Sequence, residues 1–134
     1  MSRSPQPPEF FVDRSLGRHL VAQALRAAGW SLRTHYEVFG SRDDEVPDVE
    51  WLNYVGHEGL PVLTKDRRLR YRPDEIDSVR RHRIKLFVLA RSDLRADVQA
   101  DRFDRNINRI VAACLDPGPC VYAVHATEIV RLFP

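Results

Sequence analysis

Leu60-Pro61-Val62-Leu63-Thr64 is a short apolar run that stops at Lys65-Asp66, and Phe10-Phe11-Val12 stops in the same way at Asp13. Apolar runs of this length bounded by charge read as buried strands. Between them Leu16, Leu20, Val21, Ala24, Leu25 and Ala28 recur at helical spacing, and Gly29 follows as a stop. Ser31 to His35 reads as a weaker strand. Gly40 to Val46 reads as an acidic loop, and Pro47 suits the first position of a helix that runs to about His57 and ends near Gly59.

Beyond Asp66 the pattern repeats. Pro73 opens a short helix to about Arg81, and Ile84 to Ala90 makes a fourth strand. Leu94, Val98, Phe103, Ile107, Ile110, Val111 and Cys114 mark one long amphipathic helix. Asp101, Arg105 and Arg109 follow its outer side as solvated helix pairs. Pro117-Gly118-Pro119 breaks it, Cys120 to Val124 makes a fifth strand, and Glu128 to Phe133 reads as an edge strand or a docking tail. Strands alternating with helices predict a single-domain α/β three-layer sandwich: a five-stranded, mainly parallel sheet with helices on both faces. The expected strand order is 2-1-3-4-5, with a cleft between strands one and three at the carboxyl edge, where such sheets bind ligands.

The chain of 134 residues has room for one domain, assigned to residues 9–134, after a polar, proline-rich lead over 1–8 read as disordered. With 43% hydrophobic and 30% charged residues it is too apolar for a disordered protein and too charged for a fibrous one. Its longest apolar run, Ile110 to Leu115, falls far short of the ~20 residues of a membrane span, so no membrane contact is expected. Met1 to Pro8 lacks the apolar stretch of a secretory signal. Cys114 and Cys120 make neither a disulfide framework nor a C-x-x-C site, and a reducing cytoplasm is the expected location. There is no G-x-G-x-x-G and no P-loop, so a nucleotide cofactor is not expected.

Asp13 closes the first strand, Asp66 closes the third, and Asp48 begins the helix that leads into the third. In a βαβ unit that helix starts at the carboxyl edge, so three aspartates converge there. Each could alone cap a helix start. Gathered together they would repel one another unless a cation neutralised them, and all-oxygen ligands suit Mg²⁺ or Mn²⁺. Such an ion could orient a phosphodiester and activate water for in-line attack. Glu50, two residues beyond Asp48, points some 200° away on a ~3.6-residue helix and is a secondary catalytic candidate.

These three stretches, in this order and spacing, resemble the PIN-domain ribonucleases, particularly the short PIN-like proteins that include VapC-type toxins. The resemblance covers about Phe10 to Ala90. It implies a PIN-like fold, metal binding and catalysis by Asp13, Asp48 and Asp66, and metal-dependent cleavage of RNA. It also implies a small antitoxin protein as partner. Family members carry another acidic residue on a helix between the first and second matched positions. Here Glu37, Asp43, Asp44, Glu45, Glu50 and Glu75 are the residues that could substitute, and none matches by motif.

Residues 65–85 hold nine Lys and Arg against four Asp and Glu, although the whole chain is only +2. Arg14, Lys65, Arg67, Arg68 and Arg70 are therefore expected to attract a phosphate backbone beside the metal site, with Tyr71 as a platform for a base. Alternatively, the arginines of this stretch pair with Asp74, Glu75 and Asp77. Ser15 reads as a helix-start hydroxyl within reach of a phosphate, Trp30 and Trp51 as core residues, and the five histidines as structural or surface groups. Two other functions stay open: a non-catalytic RNA- or protein-binding module on the same scaffold, and a receiver-type phosphoacceptor domain. The receiver is disfavoured because Arg14 follows Asp13 and no lysine ends the fifth strand. The long helix and the tail after Val124 are the segments that could form a homodimer surface.

Overall fold

A computed structural model describes residues 7–134, together with all side chains in that range except those of Leu69 and Arg70. The expected disordered lead falls outside this range but for its last two residues. Among the described residues six strands are formed, one more than expected: β1 Phe10–Val12, β2 Leu32–Thr34, β3 Val62–Thr64, β4 Lys85–Leu89, β5 Cys120–Val124 and β6 Ile129–Phe133. They lie in the order β2-β1-β3-β4-β5-β6. The first five are parallel, as the alternation with helices demands. The sixth turns back antiparallel on β5, which resolves the tail as an edge strand.

Side chains one residue apart on a strand face opposite sides, and the core divides accordingly. Phe10, Val12, Leu63, Phe87 and Val124 pack with Val21, Leu25, Phe103 and Ile110. These come from α1 Leu20–Ala27, α5 Ala96–Arg105 and α6 Ile107–Cys114. Phe11, Val62, Leu86, Val88 and Val121 pack on the other side with Trp51, Leu52, Val55 and Val79. These last come from α3 Asp48–Glu58 and α4 Pro73–Arg81. The result is a three-layer α/β sandwich.

Three local expectations are corrected. The first helix begins at Leu20 rather than Leu16, because Asp13 caps a separate 3-10 turn over Arg14–Leu16. The expected long helix breaks at Asn106 into α5 and α6. Asn106 is fully buried, and its amide donates to the carbonyls of Arg102 (2.8 Å) and His125 (2.9 Å), drawing the chain off the helical path. Arg109 consequently contacts Asn106, while Asp101 pairs with Arg105.

The acidic stretch is not an open loop. α2 His35–Phe39 runs into a 3-10 segment Gly40–Glu45. A capping box starts α2: Thr34 Oγ1 accepts from Glu37 N–H at 3.0 Å, and Glu37 Oε1 accepts from Thr34 N–H at 2.9 Å. Thr34→Ala is expected to cost about 1 kcal/mol in urea unfolding. An unchanged midpoint would remove the cap from this account.

α3 begins at Asp48 with Pro47 as the flanking cap residue. It ends at Gly59, whose φ of 70° is the left-handed conformation that glycine adopts without strain. That stop aims the chain back through Leu60-Pro61 into β3, whose carboxyl end returns to the start of α3. No helix among the described residues is long and apolar enough to cross a membrane.

Candidate active site

A cavity of about 600 Å³ opens at the carboxyl edge of the sheet and is lined by Asp13, Asp48 and Asp66. Arg14, Ser15, Lys65, Arg67, Arg68, Arg72 and Ser92 complete its wall. β1 and β3 are paired neighbours, with Asp13 N–H donating to Leu63 O at 3.0 Å, so the two strand-ending aspartates lie at adjacent strand ends.

Asp13 is buried, and its Oδ2 accepts from Thr64 Oγ1 at 2.8 Å and from Ser15 N–H at 3.3 Å. Burial pushes its carboxyl above the ordinary aspartate value; the bonds from Ser15 and Thr64 oppose this, and the negative charge of Asp48 adds to it. Asp48 is held on both oxygens. Oδ1 accepts from Trp51 Nε1 at 2.8 Å and Oδ2 from Arg72 Nη1 at 2.8 Å. Trp51 is the buried core residue expected, stacked on Phe11. Asp66 caps the 3-10 turn Arg67–Arg70 by accepting from Arg68 N–H at 3.0 Å, and its Oδ2 lies 3.6 Å from Arg72. Capping and convergence on the cleft thus coexist in Asp13 and Asp66.

Among the basic candidates, Arg14, Lys65, Arg67 and Arg68 line the cavity. Arg14 Nη1 donates to Asp43 O at 2.8 Å and Arg67 Nη1 to Ala90 O at 3.2 Å, which ties both to the rim. Lys65 donates its backbone N–H to Ser15 Oγ at 3.1 Å. Tyr71 is exposed and lies outside the cavity wall, and the Arg70 side chain lies outside the described residues. A second cavity of about 380 Å³, reaching Arg18, His19 and Leu20, shares Ser15 and Lys65 with the first.

Glu50 does not join the aspartates. It faces Arg42 at 3.2 Å, on the side of α3 that its offset from Asp48 demands. The other acids weighed as substitutes are paired elsewhere or exposed, with one exception. Glu37 bonds Arg26, and Asp44 lies beside Arg18. Glu45 is exposed. Asp43 is buried against His35 Nδ1 and also takes Arg18, while His35 packs on Phe11 and Phe39. Glu75 is the exception: its Oε1 lies 3.3 Å from the same Arg72 nitrogen that contacts Asp48 and Asp66. Sequence reading placed Arg72 in a basic run and Glu75 among its optional partners, but nothing local joined either to Asp48. Thr64 and Ser92 went unmarked.

The carboxylate oxygens of Asp13, Asp48 and Asp66 are the donor set that Mg²⁺ or Mn²⁺ takes. The cleft already carries positive groups on two of them, the Arg72 guanidinium on Asp48 and Asp66 and Arg68 Nε at 3.4 Å from Asp66 Oδ1, so its chemistry fits a cation. Among the described residues, however, no three acidic, histidine or cysteine side chains are drawn close enough to enclose a metal ion as they stand.

The family model described as "PIN like domain" matches residues 8–91, which contain all three aspartates and the strands that carry them. The chain belongs to the PIN-like domain family. A protein of Mycobacterium tuberculosis (strain ATCC 25618 / H37Rv) named "Putative ribonuclease VapC45" is 36% identical to it over 123 residues, covering 91% of this chain and 89% of the relative. No solved structure matches. Within this PIN-like chain the matched segment ends just past β4, so α5, α6, β5 and β6 lie beyond it.

Proposed function

We propose that the chain is a metal-dependent endoribonuclease, the toxin component of a VapC-type toxin-antitoxin pair. The observation that carries this reading is the shared cavity: three aspartates from separate elements and five basic side chains line one wall-to-wall cleft. Membership of the PIN-like family and the ribonuclease name of the mycobacterial relative support the same activity. Asp13, Asp48 and Asp66 would hold Mg²⁺ or Mn²⁺. Bound there, the cation supplies charge neutralisation at the scissile phosphate and acidifies an attacking water. Lys65, Arg67 and Arg68 draw the RNA backbone to the carboxylates, and Arg67 or Arg68 steadies charge developing on the phosphoryl oxygens. The second cavity, through Ser15 and Lys65, gives the strand a way to continue past the cleft. An antitoxin protein that covers the acidic cleft is the expected partner, and the cytoplasm the expected place of action.

A second reading, RNA binding without cleavage, is favoured by the absence of a closed metal cage among the described residues. One experiment separates the two. A panel of single-stranded and structured RNAs is incubated with added Mn²⁺, with EDTA, and with an Asp66→Asn protein purified identically. Cuts that need Mn²⁺ and vanish in the variant establish the nuclease. RNA bound equally by both proteins, without cutting, establishes the binding module.

A further inference from the structure

Arg72 stands at the start of α4, and one of its nitrogens, Nη1, touches three carboxylates from three parts of the chain. It is 2.8 Å from Asp48 Oδ2, 3.6 Å from Asp66 Oδ2 and 3.3 Å from Glu75 Oε1. The acids are 22%, 18% and 13% exposed and Arg72 is 34% exposed, so these are half-buried pairs rather than solvent-screened surface ones. Three anionic groups at this range repel strongly without a cation among them. In the metal-free protein the cation that all three share is Arg72, while the largely exposed Arg68 lies 3.4 Å from Asp66 Oδ1.

A divalent ion would need the same oxygens. Mg²⁺ binds carboxylate oxygen at about 2.0–2.1 Å, so an ion on Asp48 Oδ2 and Asp66 Oδ2 would stand within a few ångströms of the guanidinium, and the two cations repel each other across the oxygens they share. We propose that Arg72 is an exchangeable internal counter-ion: it neutralises Asp48 and Asp66 in the metal-free protein and competes with the divalent ion for them. Glu75 is the acid that retains the guanidinium after exchange. It lies three residues further along the same helix, which places the two side chains as neighbours, and it does not line the cavity. Arg72 and Glu75 are thus positioning residues, which set how readily the aspartates accept a metal. This inference rests on the metal-dependent reading of the cleft.

The test is a titration with Mn²⁺ alone, without RNA, read by the electron paramagnetic resonance of free Mn²⁺. It compares the wild-type chain with Arg72→Gln, Arg72→Lys, Glu75→Gln and the double variant Arg72→Gln/Glu75→Gln. Removing the competitor is expected to tighten Mn²⁺ binding about tenfold in Arg72→Gln, the effect of ~1.4 kcal/mol. The same variant melts lower than wild type in EDTA and is raised more by Mn²⁺. Arg72→Lys keeps the charge and carries the test if Arg72→Gln does not fold. A lysine ammonium is a point charge without the guanidinium fork, and its variant is expected to bind Mn²⁺ several-fold tighter than wild type. Glu75→Gln leaves Arg72 no other acid and is expected to weaken Mn²⁺ binding, an effect absent when Arg72→Gln is also present. Affinity in Arg72→Gln and Arg72→Lys equal to or weaker than wild type overturns the exchange and leaves the nuclease reading standing. No Mn²⁺ binding by any of the proteins overturns the metal reading together with the exchange.

Discussion

Asp13→Asn is expected to lower Mn²⁺-dependent RNA cleavage on the order of 10²–10³-fold, while the variant melts higher than wild type in EDTA at neutral pH. Both effects have one origin. Asp13 is only 5% exposed, and burial raises its proton affinity above the ordinary value of 3.8 despite the bonds from Ser15 and Thr64. A carboxyl raised on folding contributes stability that is fully present below its unfolded pKa and is lost as pH rises through the folded one. At neutral pH the buried carboxyl therefore contributes less stability than it does in acid. The asparagine keeps an oxygen for Ser15 and Thr64 and carries no charge. The advantage of the variant should shrink as pH falls into the carboxylate range. Thermal melts of both proteins against pH, in EDTA, measure this. A variant that melts no higher at neutral pH would mean that burial does not govern Asp13.

Trp51 is the second point at which structure and chemistry meet. Its ring is 1% exposed and stacks on Phe11 with centroids 5.6 Å apart, and its indole N–H holds Asp48 Oδ1 at 2.8 Å. Trp51→Ala removes a large buried side chain and is expected to cost about 3–5 kcal/mol in urea unfolding, a large share of the ~5–15 kcal/mol that stabilises a domain. Trp51→Phe keeps an aromatic ring in the core but deletes the N–H that orients the carboxylate. Its fold should survive, with Mn²⁺ affinity weakened about 10–100-fold, as when an outer-shell partner of a metal ligand is lost. Unchanged Mn²⁺ affinity in a folded Trp51→Phe protein would assign Trp51 to packing alone.

Short-range pattern carried much of the architecture. Phe10 to Val12 and Val62 to Thr64 are apolar runs closed by charge, which is enough to bury a strand and leave an aspartate at its carboxyl end. The alternation with helices required parallel pairing, and the observed neighbours β2-β1-β3-β4-β5 follow the expected order. Asp13, Asp48 and Asp66 came to one cleft because each stands at a position that this topology sends to the same edge. Glu50 shows the same rule in reverse, since two residues along a helix suffice to turn it toward Arg42.

Contacts between distant segments were beyond local pattern. The periodicity from Leu94 to Cys114 is helical throughout, yet Asn106 breaks it by bonding the carbonyl of His125, nineteen residues away. Asp43 reads as one more acid in a polar loop until His35 and Arg18 enclose it. Arg72 is one arginine among many, and its bond to Asp48 spans twenty-four residues. By itself the sequence determined the sheet, the edge and the three aspartates, because strand and helix periodicity are properties of neighbouring residues. The tertiary structure alone decided that Arg72 joins Asp48 to Asp66, because that depends on where α3, the turn after β3 and α4 meet in space.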